Sequence, residues 1–281
     1  MARIINRVCD GVFNYFGFGA HKGAGRLQFF LLFLNVIFSV WPLVCYVVYS
    51  KDIHVVYWLG KVPQYVNLSV PICLLSMNIG VNYFQCFHVR PQAARKGCIM
   101  LFVVLGTVLI CMGAYVTMQA EKVSTDLVQN CGSDPLSAAL QETWTSCKDF
   151  YLKCDPTFTQ NMEACPGFAD QQFQQPPPTA AELAAEEADA EGGETPSPGV
   201  FRVSKTYYSY LVDTEFEFDC TGFCEFYAQP IWNKLSEGEH RCASEIARRV
   251  GAVSVTVGLP TAGLGVALFL VGVMLAGYDH L

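Results

Sequence analysis

Four stretches of this chain are apolar for 21 to 28 residues and contain no Asp, Glu, Lys or Arg. A helix of roughly 20 apolar residues crosses a hydrocarbon core of about 30 Å. Lipid offers no hydrogen-bond partners, so such a stretch must satisfy its own backbone, as a helix does. The stretches are Leu27–Ser50, Tyr65–Phe87, Cys98–Met118 and Val250–Gly277. The first begins after 26 residues and is too long for the apolar part of a signal peptide, so it is read as a span. Only 15% of the chain is charged, against about 25% in a soluble domain. The expected class is therefore an all-α membrane protein, a four-transmembrane-helix bundle.

The segments between the spans differ in charge. The head, 1–26, holds Arg3, Arg7, Lys22 and Arg26, and the short segment 88–97 holds Arg90, Arg95 and Lys96. The segment 51–64 has only Lys51 and Lys61. The positive-inside bias places the head, 88–97 and the tail 278–281 in the cytoplasm, with 51–64 and 119–249 outside. Arg248 and Arg249 oppose this, and are read as interfacial anchors before the fourth span. In the head, Ile4, Ile5, Val8, Val12 and Phe16 recur at helical spacing, which suggests a helix lying in the interface.

The long segment 119–249 carries 22 Asp and Glu against 9 Lys and Arg, a net −13, while the whole chain is −7. An acidic segment of this kind excludes nucleic acid as a partner, since its binders present basic faces. The segment also holds seven of the 13 cysteines: Cys131, Cys147, Cys154, Cys165, Cys220, Cys224 and Cys242. Cysteine at this density suits an oxidising compartment. Seven thiols allow at most three bridges, and the sequence leaves the pairing open. Zinc is disfavoured: the segment has one histidine, His240, and no second close cysteine pair beside Cys220 and Cys224.

Within this segment, residues 119–170 are expected to be mainly helical, with Leu136, Leu140, Trp144 and Cys147 as a core-facing stripe. Residues 171–199 are rich in Pro, Ala and acid and are expected to form a mobile insert. In "DTEFEFDC", Asp213, Glu215, Glu217 and Asp219 alternate with Phe216 and Phe218, which predicts a strand with a solvated acidic face.

Within the spans, Gly258/Ala262, Gly263/Ala267, Gly272/Ala276 and Gly113/Thr117 stand four residues apart, as helix-packing positions do in lipid. Asn35 lies in the first span, and Asn78, Asn82 and Gln85 share a face of the second. Polar groups in lipid belong inside the bundle. That same seam would serve a small channel or transporter subunit, which is the rival reading. Cys9, Cys86 and Cys98 stand at the cytoplasmic rim, where palmitoylation occurs. Asn67-Leu68-Ser69 is a glycosylation sequon at the mouth of the second span, expected to stay unmodified. No nucleophile, metalloprotease or phosphate-loop motif is present, so neither an enzyme nor a cofactor is expected. The chain closes on Gly277, Tyr278, Asp279, His280 and Leu281, the Gly-Tyr-x-x-Leu form of a sorting signal. Tyr278 could equally serve as an interfacial aromatic anchor.

Taken together, these features resemble the tetraspanin family: four spans, a small outer loop, a tight basic inner loop, a large cysteine-rich outer loop and short tails. "LLFLNVIFSV" with Asn35 is similar to that family's first span, and "CIMLFVVLGTVLI" after a basic turn to its third. Cys131-Gly132, and Cys242 shortly before the fourth span, fit as well. The family's Cys-Cys-Gly is absent, which would make this a divergent member whose disulfide pattern need not follow the family's. The claudin-like plan does not fit, because 51–64 contains no cysteine. The resemblance implies a scaffold that organises other integral membrane proteins in the bilayer, at the plasma membrane or in endosomes. Homo-oligomers are compatible with such a role.

Overall fold

A computed structural model describes residues 24–86, 91–154, 165, 203–233 and 239–278; the side chains of 24–32, 34, 82–86, 91–95, 277 and 278 are not described. The described chain is mostly helical and contains no strand. Among the described residues eight α-helices follow in order: α1 Ala24–Lys51, α2 Ile53–Leu59, α3 Val62–Cys86, α4 Pro91–Gln129, α5 Pro135–Cys154, α6 Lys205–Phe218, α7 Cys242–Val253 and α8 Leu259–Tyr278. A five-residue π segment, Ser254–Gly258, joins α7 to α8. The head before Ala24, the insert 171–199 and Asp279–Leu281 lie outside the described residues.

Among the described residues three helical stretches are long and apolar enough to cross a membrane: Val62–Val81, Lys96–Gln129 and Cys242–Ala276. A fourth is met if Asn35–Lys51 and Ile53–Leu59 count as one broken span, bent by 89°. The segment 51–64, expected as a small outer loop, is largely helix. Asp52 breaks α1 from α2: its Oδ1 accepts the backbone N–H groups of His54 and Val55, each at 3.1 Å, capping α2. Gly60 ends α2 at φ 62 and ψ −148, a conformation open essentially to glycine alone. Of the expected basic loop 88–97, the described part is helix, because α4 begins at Pro91. Its 39 residues run roughly 58 Å at 1.5 Å each, well beyond one hydrocarbon thickness.

The chain divides into two compact units, residues 1–123 with 249–281, and residues 124–248. In the first, α1 packs along α3. One core cluster joins Cys45, Tyr49, Val55, Val66, Val116, Ala120, Val253 and Val257; a second joins Val70, Leu74, Met77, Val81 and Leu109. The outward faces carry Phe38, Trp41, Val48, Ile72, Ile79, Val104, Leu259 and Leu270, all exposed. Burying such surface in water would be favoured by about 25 cal/mol per Å², so helices that leave it uncovered suit lipid instead.

In the second unit, α5 packs against α6. Of the stripe read from the sequence, Leu140 and Cys147 are fully buried, Trp144 is nearly so and Leu136 is half-buried. The strand expected at 213–219 is instead the C-terminal half of α6. The eight-residue window hid a longer helical pattern, in which Tyr210, Leu211, Thr214 and Glu215 form the buried face. Asp213 and Glu217 stay exposed, but Glu215 is buried and Phe216 exposed, the reverse of a strand's alternation. Asp219 then takes the left-handed conformation, φ 50, that ends the helix.

Candidate functional site

The 124–248 unit is held by three disulfides, Cys131–Cys224, Cys154–Cys165 and Cys220–Cys242. Six of the seven candidate cysteines are paired, and the leftover thiol is Cys147. Burial pushes the Cys147 thiol far above its ordinary range, so it is inert packing on α5. The first bridge spans 93 residues, and a crosslink over that distance stabilises by roughly 4–5 kcal/mol in the chain-entropy model.

These bridges fix the irregular stretch 220–233. Gly222, at φ 71, makes the turn after Cys220, and a Cβ there would collide with the Glu225 carbonyl. The Cys242 and Ala243 N–H groups donate to the carbonyls of Gly222 and Phe223 at 2.9 and 3.1 Å. The Cys224 N–H donates to Gln141 Oε1 on α5 at 2.8 Å. Tyr227 meets Trp144 edge-on at 5.6 Å, and the Lys148 ammonium lies over both rings. Glu215, buried on α6, accepts the Trp232 and Asn233 N–H groups at 2.8 and 2.9 Å. Trp232 also meets Tyr208 edge-on, and Asn233 donates to Asp219. Arg241 donates one guanidinium nitrogen to the Cys224 carbonyl and another to the Val128 carbonyl at the end of α4. An irregular segment with ties this numerous presents its side chains at fixed positions.

In the other unit, the small residues meet at backbone distance. A Cβ on Gly265 would lie 2.6 Å from the Ile110 nitrogen and 2.7 Å from the Gly106 oxygen. One on Gly113 would overlap the backbone of Ala262 and Gly258, and one on Gly272 would lie 2.8 Å from Val103. So Gly106, Gly113, Gly258, Gly265 and Gly272 bring α4 against the π segment and α8. Gly263 alone among the spaced pairs faces open space. Packing uses Gly258/Ala262 inside this unit and leaves Gly263/Ala267 outside it.

The π segment adds a polar hub that the sequence reading missed. A π bulge shifts the hydrogen-bond ladder and frees carbonyls for other donors. The Thr256 carbonyl accepts from Trp41 Nε1 at 3.0 Å, and Tyr49 and Thr256 hydroxyls lie 2.6 Å apart. The Thr256 hydroxyl donates to the Ala252 carbonyl, so Tyr49 is the donor to it. Arg249 donates to Asp52 at 2.8 Å, while Arg248 pairs with Glu245 within α7. The two arginines read together as anchors thus have separate roles.

Asn35 accepts from Ser39 within α1 at 2.8 Å. Asn78 is buried in α3, whereas the side chains of Asn82, Gln85 and Cys86 lie outside the described residues, as does Cys9. Cys98 packs, half-buried, against the second core cluster. Asn67 is 2% exposed within α3, which leaves the folded chain no room for a glycan. α8 runs to Tyr278, so Gly277 and Tyr278 end a helix, and Leu281 lies outside the described residues. Among the described residues, no group of His, Cys, Asp and Glu could hold a metal ion.

No family model, no curated protein and no solved structure matches this chain.

Proposed function

We propose that this chain is a tetraspanin-like membrane scaffold. It spans the bilayer four times, with both termini cytoplasmic. Its disulfide-braced 124–248 unit, outside the cell or in the endosomal lumen, organises partner membrane proteins. Palmitate on rim cysteines and the Gly277-Tyr278-x-x-Leu281 tail would direct it to plasma or endosomal membranes. The observation that carries this reading is the rigid 220–233 stretch, fixed by two disulfides, Gln141, Glu215 and Arg241. Rigid presentation lowers the entropy cost of recognition and contributes nothing to a permeation path.

The channel reading keeps one supporting observation, the buried amide of Asn78. Against it, the same helix α3 gives Val70, Leu74, Met77 and Val81 to an apolar core cluster, and small residues close the contact between α4 and α8. Proteoliposome flux separates the two. The scaffold reading predicts no flux above that of empty vesicles. Flux that disappears in the Asn78→Ala, Asn82→Ala double variant would replace it with the channel.

A further inference from the structure

Large exposed apolar side chains are common on the apolar helices but rare in the 124–248 unit, where the described ones are Val128, Phe216 and Phe226. The segments that carry Val128 and Phe226 are tied by one guanidinium. Arg241 holds the Val128 carbonyl and the Cys224 carbonyl at once, and the Cys131–Cys224 bridge ties the same two segments. Phe226 is 54% exposed although its neighbours on both sides are fixed, Cys224 by the bridge and Gln141, and Tyr227 by Trp144. Nothing about the backbone therefore forces the ring outward through disorder. An aromatic held out from a rigid frame is the form of a binding anchor.

The charges around it select the partner. Glu225, next to Phe226 in sequence, and Glu239, two residues before Arg241, are exposed, while the two cations of this region are engaged, Arg241 by two carbonyls and Lys148 over the Trp144 and Tyr227 rings. The segment 119–249 carries a net −13. A second copy would bring the same charge, and anionic lipid would be repelled as well. We propose that Phe226 and Val128 form the docking point for a partner protein whose contacting face is an apolar pocket rimmed by Lys and Arg. This rests on the scaffold reading and names the chemistry of its partner.

The test uses the full chain in its native membrane, with Phe226 replaced by photoreactive p-benzoylphenylalanine. The same replacement at Thr206, exposed on α6, is the control. The expected result is one dominant protein adduct from position 226, attached at a basic segment of an integral membrane protein. That protein, once purified, should bind Phe226→Ser and Val128→Ser chains roughly tenfold more weakly or worse. It should bind Glu225→Lys more weakly too, with a shallower dependence on salt. Non-reducing peptide maps showing the three native bridges establish that each variant is folded. Adducts to a second copy of this chain, to lipid, or equally from positions 226 and 206 would overturn the proposal. So would affinities for Phe226→Ser within about twofold of the native chain. If stoichiometric membrane partners crosslink elsewhere on the unit, the scaffold reading stands and this patch fails; if there are no partners, both fail.

Discussion

Arg249 and Asp52 lie 197 residues apart in sequence and share a 2.8 Å ion pair. The pair is asymmetric: the Asp52 side chain is 3% exposed and the Arg249 side chain 47%. Asp52 also caps α2 through its second oxygen. The contact therefore ties the break between α1 and α2 to the residue seven places before Thr256.

The asymmetry predicts the ranking of variants. Arg249→Ala strands a buried carboxylate and should cost about 3 kcal/mol. Asp52→Asn keeps an acceptor for the cap and leaves an arginine that can reach water, so about 1–2 kcal/mol is expected. Thermal unfolding in detergent micelles checks the order. An Asp52→Asn chain less stable than Arg249→Ala would mean that the cap, not the charge, dominates.

The glycines predict a second ranking. Gly→Ala inside a helix ordinarily stabilises by about 0.5–1 kcal/mol. Gly263→Ala should follow that rule, because its Cβ meets nothing within 4 Å. Gly113→Ala and Gly265→Ala should instead destabilise by about 1–3 kcal/mol, because backbone atoms cannot yield as a flexible side chain does. Melting temperatures of the three single variants decide it.

Glu215 predicts a local effect. Removing its carboxylate in Glu215→Ala leaves the Trp232 and Asn233 N–H groups without their acceptor and should cost about 2–4 kcal/mol. Hydrogen exchange at these two amides should quicken well before the amides of α5 change. Uniform quickening across the unit would show that Glu215 holds the whole core rather than this stretch.

Cys147 predicts a pH dependence. Its thiol is raised in the folded state from an ordinary value of 9.0, so the folded chain holds that proton more tightly than the unfolded one. The resulting stability is fully present below pH 9.0 and is lost as pH rises beyond it, by about 1.4 kcal/mol per unit. The denaturation midpoint should fall between pH 8 and pH 10 by more in the native chain than in Cys147→Ala. Equal slopes would place Cys147 in contact with water.

The sequence showed the apolar helices because runs without charge have one solution in lipid, and Leu140, Trp144 and Cys147 because a 3.6-residue stripe extends over several turns. It showed which cysteines could pair but not the pairing, since Cys131 and Cys224 are brought together only by tertiary packing. Residues 213–219 misled for a related reason. Alternation over seven residues suits a strand, and only the upstream Tyr210 and Leu211 show that Glu215 belongs to a helix. The Asp52–Arg249 pair and the Thr256 hub had no local signal at all. A buried charge and its partner become visible only when two distant helix ends meet.

The central claim, a scaffold that gathers partner membrane proteins, is tested most directly by crosslinking the chain in mild detergent and identifying what co-purifies by mass spectrometry. The account predicts stoichiometric integral membrane partners, lost when the 124–248 unit is reduced and unfolded. A chain that purifies alone with its three disulfides intact would contradict it.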